Sequence, residues 1–119
     1  MLYYYVQSTI NNYEMEVLMS FNRIATLRSL VEKNPNNPLN RFGLANEYFK
    51  NEMYEEAIEE IKTYLSLKDD EGAAYRMLGE ALLKLGKKEE AKDAYKNGIH
   101  AANKHGHPGM AEEFEETLE

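Results

Sequence analysis

The sequence predicts an all-α protein, a short right-handed α-solenoid of antiparallel helix pairs. Three observations lead there. The stretch LANEYFKNEMYEEA at residues 44–57 is answered 34 places later by LGEALLKLGKKEEA at residues 78–91, with Leu44 matching Leu78, Ala45 matching Gly79, Tyr48 matching Leu82 and Ala57 matching Ala91. Within each copy the apolar residues fall at i, i+3, i+4 and i+7, the spacing of one helix face. Strand signals are nearly absent after residue 12, whereas helix-ending and helix-starting residues are dense. A helix pair repeated at that interval cannot hide its own apolar flank and must stack on a neighbour.

Taken in order, residues 1–12 form an extension and residues 13–119 a single domain. Leu2, Tyr3, Tyr4 and Tyr5 have strand-like composition with no strand partner, so the extension either docks on the chain's own groove or on a second copy, or lacks fixed structure. A front helix at 13–33, in a unit ending at 34, carries Val17, Leu18, Phe21, Ile24, Leu27 and Val31 at helical spacing, and Asn11 with Glu14 is placed as a capping box. Met19 precedes enough sequence to build a capping helix by itself, which makes residues 1–18 an optional extension or a misplaced start in this reading.

Repeat one covers 38–71, with helices at 38–50 and 54–67. Asn37 before Pro38 supplies a side-chain cap and a first helical residue that needs no N–H. Repeat two covers 72–105, with helices at 72–85 and 88–103; Asp69 or Asp70 caps the first, and Gly86 ends it. A final helix at 108–118, in a capping unit of 108–119, sets Met110, Ala111, Phe114 and Leu118 on one face and Glu112, Glu113, Glu115, Glu116 and Glu119 on the other. Such an end piece keeps the last apolar face of an array from water.

The motifs at 38–105 resemble the tetratricopeptide repeat (TPR) family. The likeness rests on the 34-residue period, Leu44-Ala45 and Leu78-Gly79, Tyr48 and Leu82, Tyr54-Glu55-Glu56-Ala57 and Lys88-Glu89-Glu90-Ala91, then Ile61 and Tyr95. Arg41 departs from the pattern where the family often has tryptophan, and Asp69 where it often has a closing proline. The resemblance implies a second stripe on each first helix that lines a concave surface: Leu39, Phe42, Asn46, Phe49 and Lys50, then Ala73, Arg76, Met77, Glu80 and Lys84. It further implies a non-catalytic protein-binding scaffold that holds a peptide or helix of a partner. A clamp for chaperone C-terminal carboxylates is not matched, because only Asn46 falls on a clamp position and Phe42 and Met77 stand where lysine and asparagine would be needed.

Composition narrows the alternatives. The net charge of −7 disfavours nucleic acid and anionic membrane surfaces as partners. Charge is uneven: residues 1–37 sum to 0, 38–70 to −4, 71–105 to +2 and 106–119 to −5. The absence of cysteine removes disulfides, thiolate nucleophiles and Cys-based zinc sites, and the apolar run Met1–Val6 is too short to span a bilayer, so a cytoplasmic protein is expected. No nucleophile with a base, phosphate-cradling glycine loop or zinc-protease motif is specified, and the Glu pairs read as solvated helix faces; the chain is expected to be no enzyme and to need no cofactor. His100, His105 and His107 with Glu112 and Glu113 have the donor types of a transition-metal site, although His107-Pro108-Gly109 reads more simply as a turn. Arg76 and Lys84 either attract an acidic peptide or pair with Glu80 one turn away. The alternative to groove binding is self-assembly into a homodimer through the extension or the exposed repeat ends.

Overall fold

The computed structural model describes residues 10–119, so most of the extension expected at 1–12, with Leu2, Tyr3, Tyr4 and Tyr5, lies outside the described residues. Six α-helices follow one another among these residues: α1 (Asn12–Lys33), α2 (Pro38–Lys50), α3 (Tyr54–Leu67), α4 (Ala73–Lys84), α5 (Lys88–Lys104) and α6 (Pro108–Thr117). Each packs on the next, and α2 also touches α4, giving the stacked helix pairs of an α-solenoid. Helix α1 runs without a break through Met19.

The helix starts follow from local chemistry. Asn11 Oδ1 accepts from the Glu14 N–H at 2.8 Å while the Asn11 N–H donates to Glu14 at 3.2 Å, a complete capping box. Asn37 accepts from the Asn40 N–H at 3.1 Å ahead of Pro38. At α4 the capping is indirect: the cap residue is Gly72, and Asp70, two positions earlier, accepts from the N–H groups of Gly72 and Ala74 at 2.8 and 2.9 Å. Its other oxygen accepts from the Tyr64 hydroxyl at 3.0 Å, so a buried carboxylate ties α3 to the start of α4.

Three helix ends, those of α2, α4 and α5, share one device. The N–H groups of Met53, Lys87 and His107 donate to the carbonyls of Tyr48, Leu82 and Ala102, and the preceding residues Glu52, Gly86 and Gly106 take φ of 59°, 75° and 76°. This is the αL helix stop that glycine adopts without strain; Glu52 adopts it with a side chain.

Two clusters make the core. One joins Ala45, Ile58, Ile61, Tyr64, Leu78, Leu82, Ala91, Tyr95 and Phe114 across α2 to α6; the other joins Ile24 and Val31 of α1 to Leu44, Tyr48 and Ala57. The small residues are required where they stand. A methyl on Gly79 would lie 2.6 Å from the Tyr95 ring, and one on Gly98 2.8 Å from the Phe114 ring. Arg41, in the position the family often gives to tryptophan, donates to Glu60 of α3 at 2.9 Å and thus still binds its partner helix.

The rear of the array closes as its stripe requires, with Ala111 and Phe114 buried and Met110 and Leu118 half-buried. The front closes less completely than its spacing predicts. Ile24 and Val31 are buried, but Leu18 is 48% and Phe21 53% exposed. At about 1.5 Å per residue a helix of 22 residues outruns one of 13, so among the described residues the first turns of α1 meet only the turn after α2.

Candidate functional site

The predicted concave residues come from α2 and α4, which lie in contact. Leu39, Phe42 and Ala73 meet at one end, where with Pro38, Tyr64, Lys68 and Asp70 they line a depression of about 210 Å³. Leu39 is 78% exposed there, and Phe42 lies half-buried with its ring against Tyr64 in an edge contact at 5.1 Å. Phe42 is therefore one wall of the depression and part of the core at once. Phe49 is held by Tyr54 at 5.5 Å and packs between both core clusters, α1 included. Met77 is likewise half-buried against the core, because its side of α4 faces repeat one.

The polar members differ in availability. Asn46, Glu80 and Lys84 are exposed and make no side-chain hydrogen bond or ion pair among the described residues. Lys50 reaches Glu47 at 3.5 Å. Arg76 does not pair with Glu80 on its own helix; it donates to Glu113 of α6 at 2.8 Å and lies 5.4 Å over the Phe114 ring, tying repeat two to the cap. Leu83 is 45% exposed at the position 34 residues after Phe49, so continuing the repeat arithmetic from α2 to α4 identifies it as a further residue of this stripe.

A second feature has no counterpart in the sequence reading. Glu47 of α2 is 7% exposed, accepts from Arg23 Nε of α1 at 3.2 Å, and leaves its Oε2 buried without a partner. Arg23 also donates to Glu16 and to Ser20 at 3.1 and 2.9 Å, and both carboxylates raise its pKa. Arg23 and Glu47 stand 34 residues before Ala57 and Ala81, each 1% exposed, so a charged pair occupies the first inter-repeat junction where the next has alanines. Beside it Met19, Asn22, Arg23, Thr26 and Leu27 line an open groove of about 490 Å³.

The histidines do not converge. His105 contacts Asp69 at 3.2 Å and His107 contacts Glu71 at 3.0 Å, while His100 is exposed. Lys104 also donates to Asp69 at 2.9 Å and is the main reason that its carboxyl sits below the usual range. Among the described residues no three His, Asp or Glu side chains gather to hold a metal ion. These contacts instead pin the loop before α4 to the turn before α6, at the position where the family's closing proline would stand. No helix among the described residues is long and apolar enough to cross a membrane.

Against known proteins, residues 22–98 match the family described as anaphase-promoting complex, cyclosome, subunit 3. A Bordetella parapertussis protein known from a solution structure superposes with a TM-score of 0.68 at 24% identity, covering 80% of this chain and 83% of that one. The crystal structure of MamA gives 0.67 at 20% identity, covering 90% and 72%; an arginine-to-glutamate mutant of MamA gives 0.61 at 22%, covering 79% and 75%. No curated protein matches the chain. The structural likenesses bear on the fold.

Proposed function

The chain belongs to the family of anaphase-promoting complex, cyclosome, subunit 3, whose repeats are of TPR type, and on that premise we propose that it holds a peptide or helix of another protein on the face shared by α2 and α4. A fold of this type suggests a protein–protein interaction module, and TPR-type repeat families are generally non-catalytic scaffolds. The observation that carries the reading is the apolar depression of Leu39, Phe42 and Ala73, open to solvent at Leu39, on the helices that also expose Asn46, Glu80 and Lys84. An apolar side chain of the guest fills the depression, whose charged lining residues are Lys68 and Asp70. Over so short a face the affinity for one segment is in the micromolar range, about −8 kcal/mol.

The test is to select short peptides from a display library on the full chain and measure their affinities by fluorescence anisotropy. Leu39→Asp is expected to weaken them about tenfold or more, with helical circular dichroism unchanged because Leu39 is exposed. Undiminished affinity would move the binding surface elsewhere. A second reading, that copies of the chain associate with one another, is favoured by the apolar side chains that α1 leaves uncovered.

A further inference from the structure

The depression between α2 and α4 does not end at Ala73. Lys68, Asp70 and Ala73 also border a second depression of about 500 Å³, whose far side is formed by Asp69, Glu71, His107 and Met110. The two make one trough with a shared rim. It crosses helix starts, because Pro38 and Leu39 open α2, Ala73 opens α4, and His107 and Met110 lie at the start of α6. Along α2 and α4 in the other direction the exposed members of the stripe are the polar Asn46, Glu80 and Lys84, while Phe49 and Met77 pack on the core. Leu83, the exposed apolar residue farther along α4, borders a separate depression with Lys92, Tyr95 and Leu118.

The two halves of the trough differ in charge. The first is walled by Leu39 and Phe42; the second gathers three consecutive carboxylates, Asp69, Asp70 and Glu71, against Lys68 and the Lys104 that holds Asp69. Among the described residues Asp70 accepts only from uncharged donors, the Tyr64 hydroxyl and the N–H groups of Gly72 and Ala74, so no cation meets its charge. Glu71 meets His107 at 3.0 Å with its side chain 65% exposed. Burial, and then the charges of Asp70 and Asp69, hold the Tyr75 phenol above its ordinary value, which marks a negative field at this end of α4.

We propose that the trough takes an extended segment of a partner protein carrying an apolar residue and, about three positions away, a lysine or arginine. The apolar side chain enters at Leu39 and Phe42, and the cation lies beside Asp70 and Glu71. The inference rests on the groove reading above and adds the direction and the chemistry of the guest. Neighbouring helix axes stand about 8–10 Å apart, which an extended chain covers in about three residues of about 3.3 Å each. The net charge of −7 favours the approach of a basic segment. An acidic segment would set its carboxylates against Glu71, and a wholly apolar one would cover the acidic half without supplying a cation.

The probes are peptides selected from a display library on the full chain and, for each, the variant with its basic residue changed to glutamate. The selected sequences are expected to pair an apolar residue with lysine or arginine at the stated interval. Glu71→Lys is expected to weaken them roughly threefold to tenfold in fluorescence anisotropy. The glutamate peptides are expected to bind Glu71→Lys better than the native chain, an exchange that damage to the fold would not produce. In two-dimensional amide NMR spectra the signals of Leu39, Ala73 and Met110 are expected to shift on titration and those of Asn46 and Lys84 to stay. Peptides that need Leu39 yet are indifferent to Glu71→Lys, or whose shifts run to Asn46 and Lys84, would overturn this path while the groove reading stands. Peptides indifferent to Leu39→Asp, or a library that yields none, would overturn both.

Discussion

Glu52 stands where the other two such helix stops have glycine, and its φ of 59° identifies it as a site of local strain. A residue with Cβ loses about 1–2 kcal/mol in that conformation, partly offset by the greater unfolded-state freedom of glycine. Glu52→Gly is therefore expected to stabilise the chain by about 0.5–1 kcal/mol, read as a higher urea midpoint at unchanged slope. Tyr64 offers a pH-dependent check on the loop before α4. Burial, then the hydrogen bond to Asp70, then the Asp70 charge push its phenol up to about 12. The neutral phenol is the form the fold prefers, so its contribution is full below pH 10 and is lost as pH rises from about 10 to 12. Absorbance at 295 nm should show a tyrosine ionising at about pH 12, and Tyr64→Phe should remove that late step.

At the scale of the element, α1 is attached differently from every later helix. The positions 34 residues after Arg23 and Glu47 are the buried Ala57 and Ala81, whereas Arg23 and Glu47 themselves form an ion pair between α1 and α2. A buried carboxylate left without its partner costs more than a pair removed together. Arg23→Ala is expected to lower stability, with Lys50 still reaching Glu47 at 3.5 Å, and the double change to alanine to cost less than the sum of the two single changes in chemical denaturation. Strictly additive losses would mean that the pair is screened by solvent in spite of Glu47 being buried. The groove next to this pair is lined by Met19, Asn22, Thr26 and Leu27, so among the described residues a charged junction and an apolar open surface lie side by side on α1.

Across the whole molecule, stability is a sum of neighbour contacts, and the ends decide whether the last contacts are made. Phe114 is fully buried over Gly98 and 5.6 Å from Tyr95, where it covers the final apolar face. Phe114→Ala is expected to cost about 3–5 kcal/mol and to lower the thermal midpoint of the whole transition, since no later helix can refill the space. A loss of only a few tenths would show that α6 is an appendage. The front end has no equivalent seal among the described residues.

The sequence by itself determined the helices, their pairing and the 34-residue register, because helix periodicity, capping residues and glycine stops act through neighbours only a few positions away. Asn11, Asn37 and Gly86 do in the structure what their local context requires. It also placed Leu39, Phe42 and Ala73 on one stripe, since that follows from spacing along α2 and α4. Tertiary packing decided which of those residues stay open: Phe42, Phe49 and Met77 lean into the core, and Arg76 turns to Glu113 across 37 positions. The charged junction of Arg23 with Glu47, 24 positions apart, and the uncovered start of α1 were settled at the same level. Each depends on the relative lengths and contacts of separate helices, which no periodicity within one helix encodes.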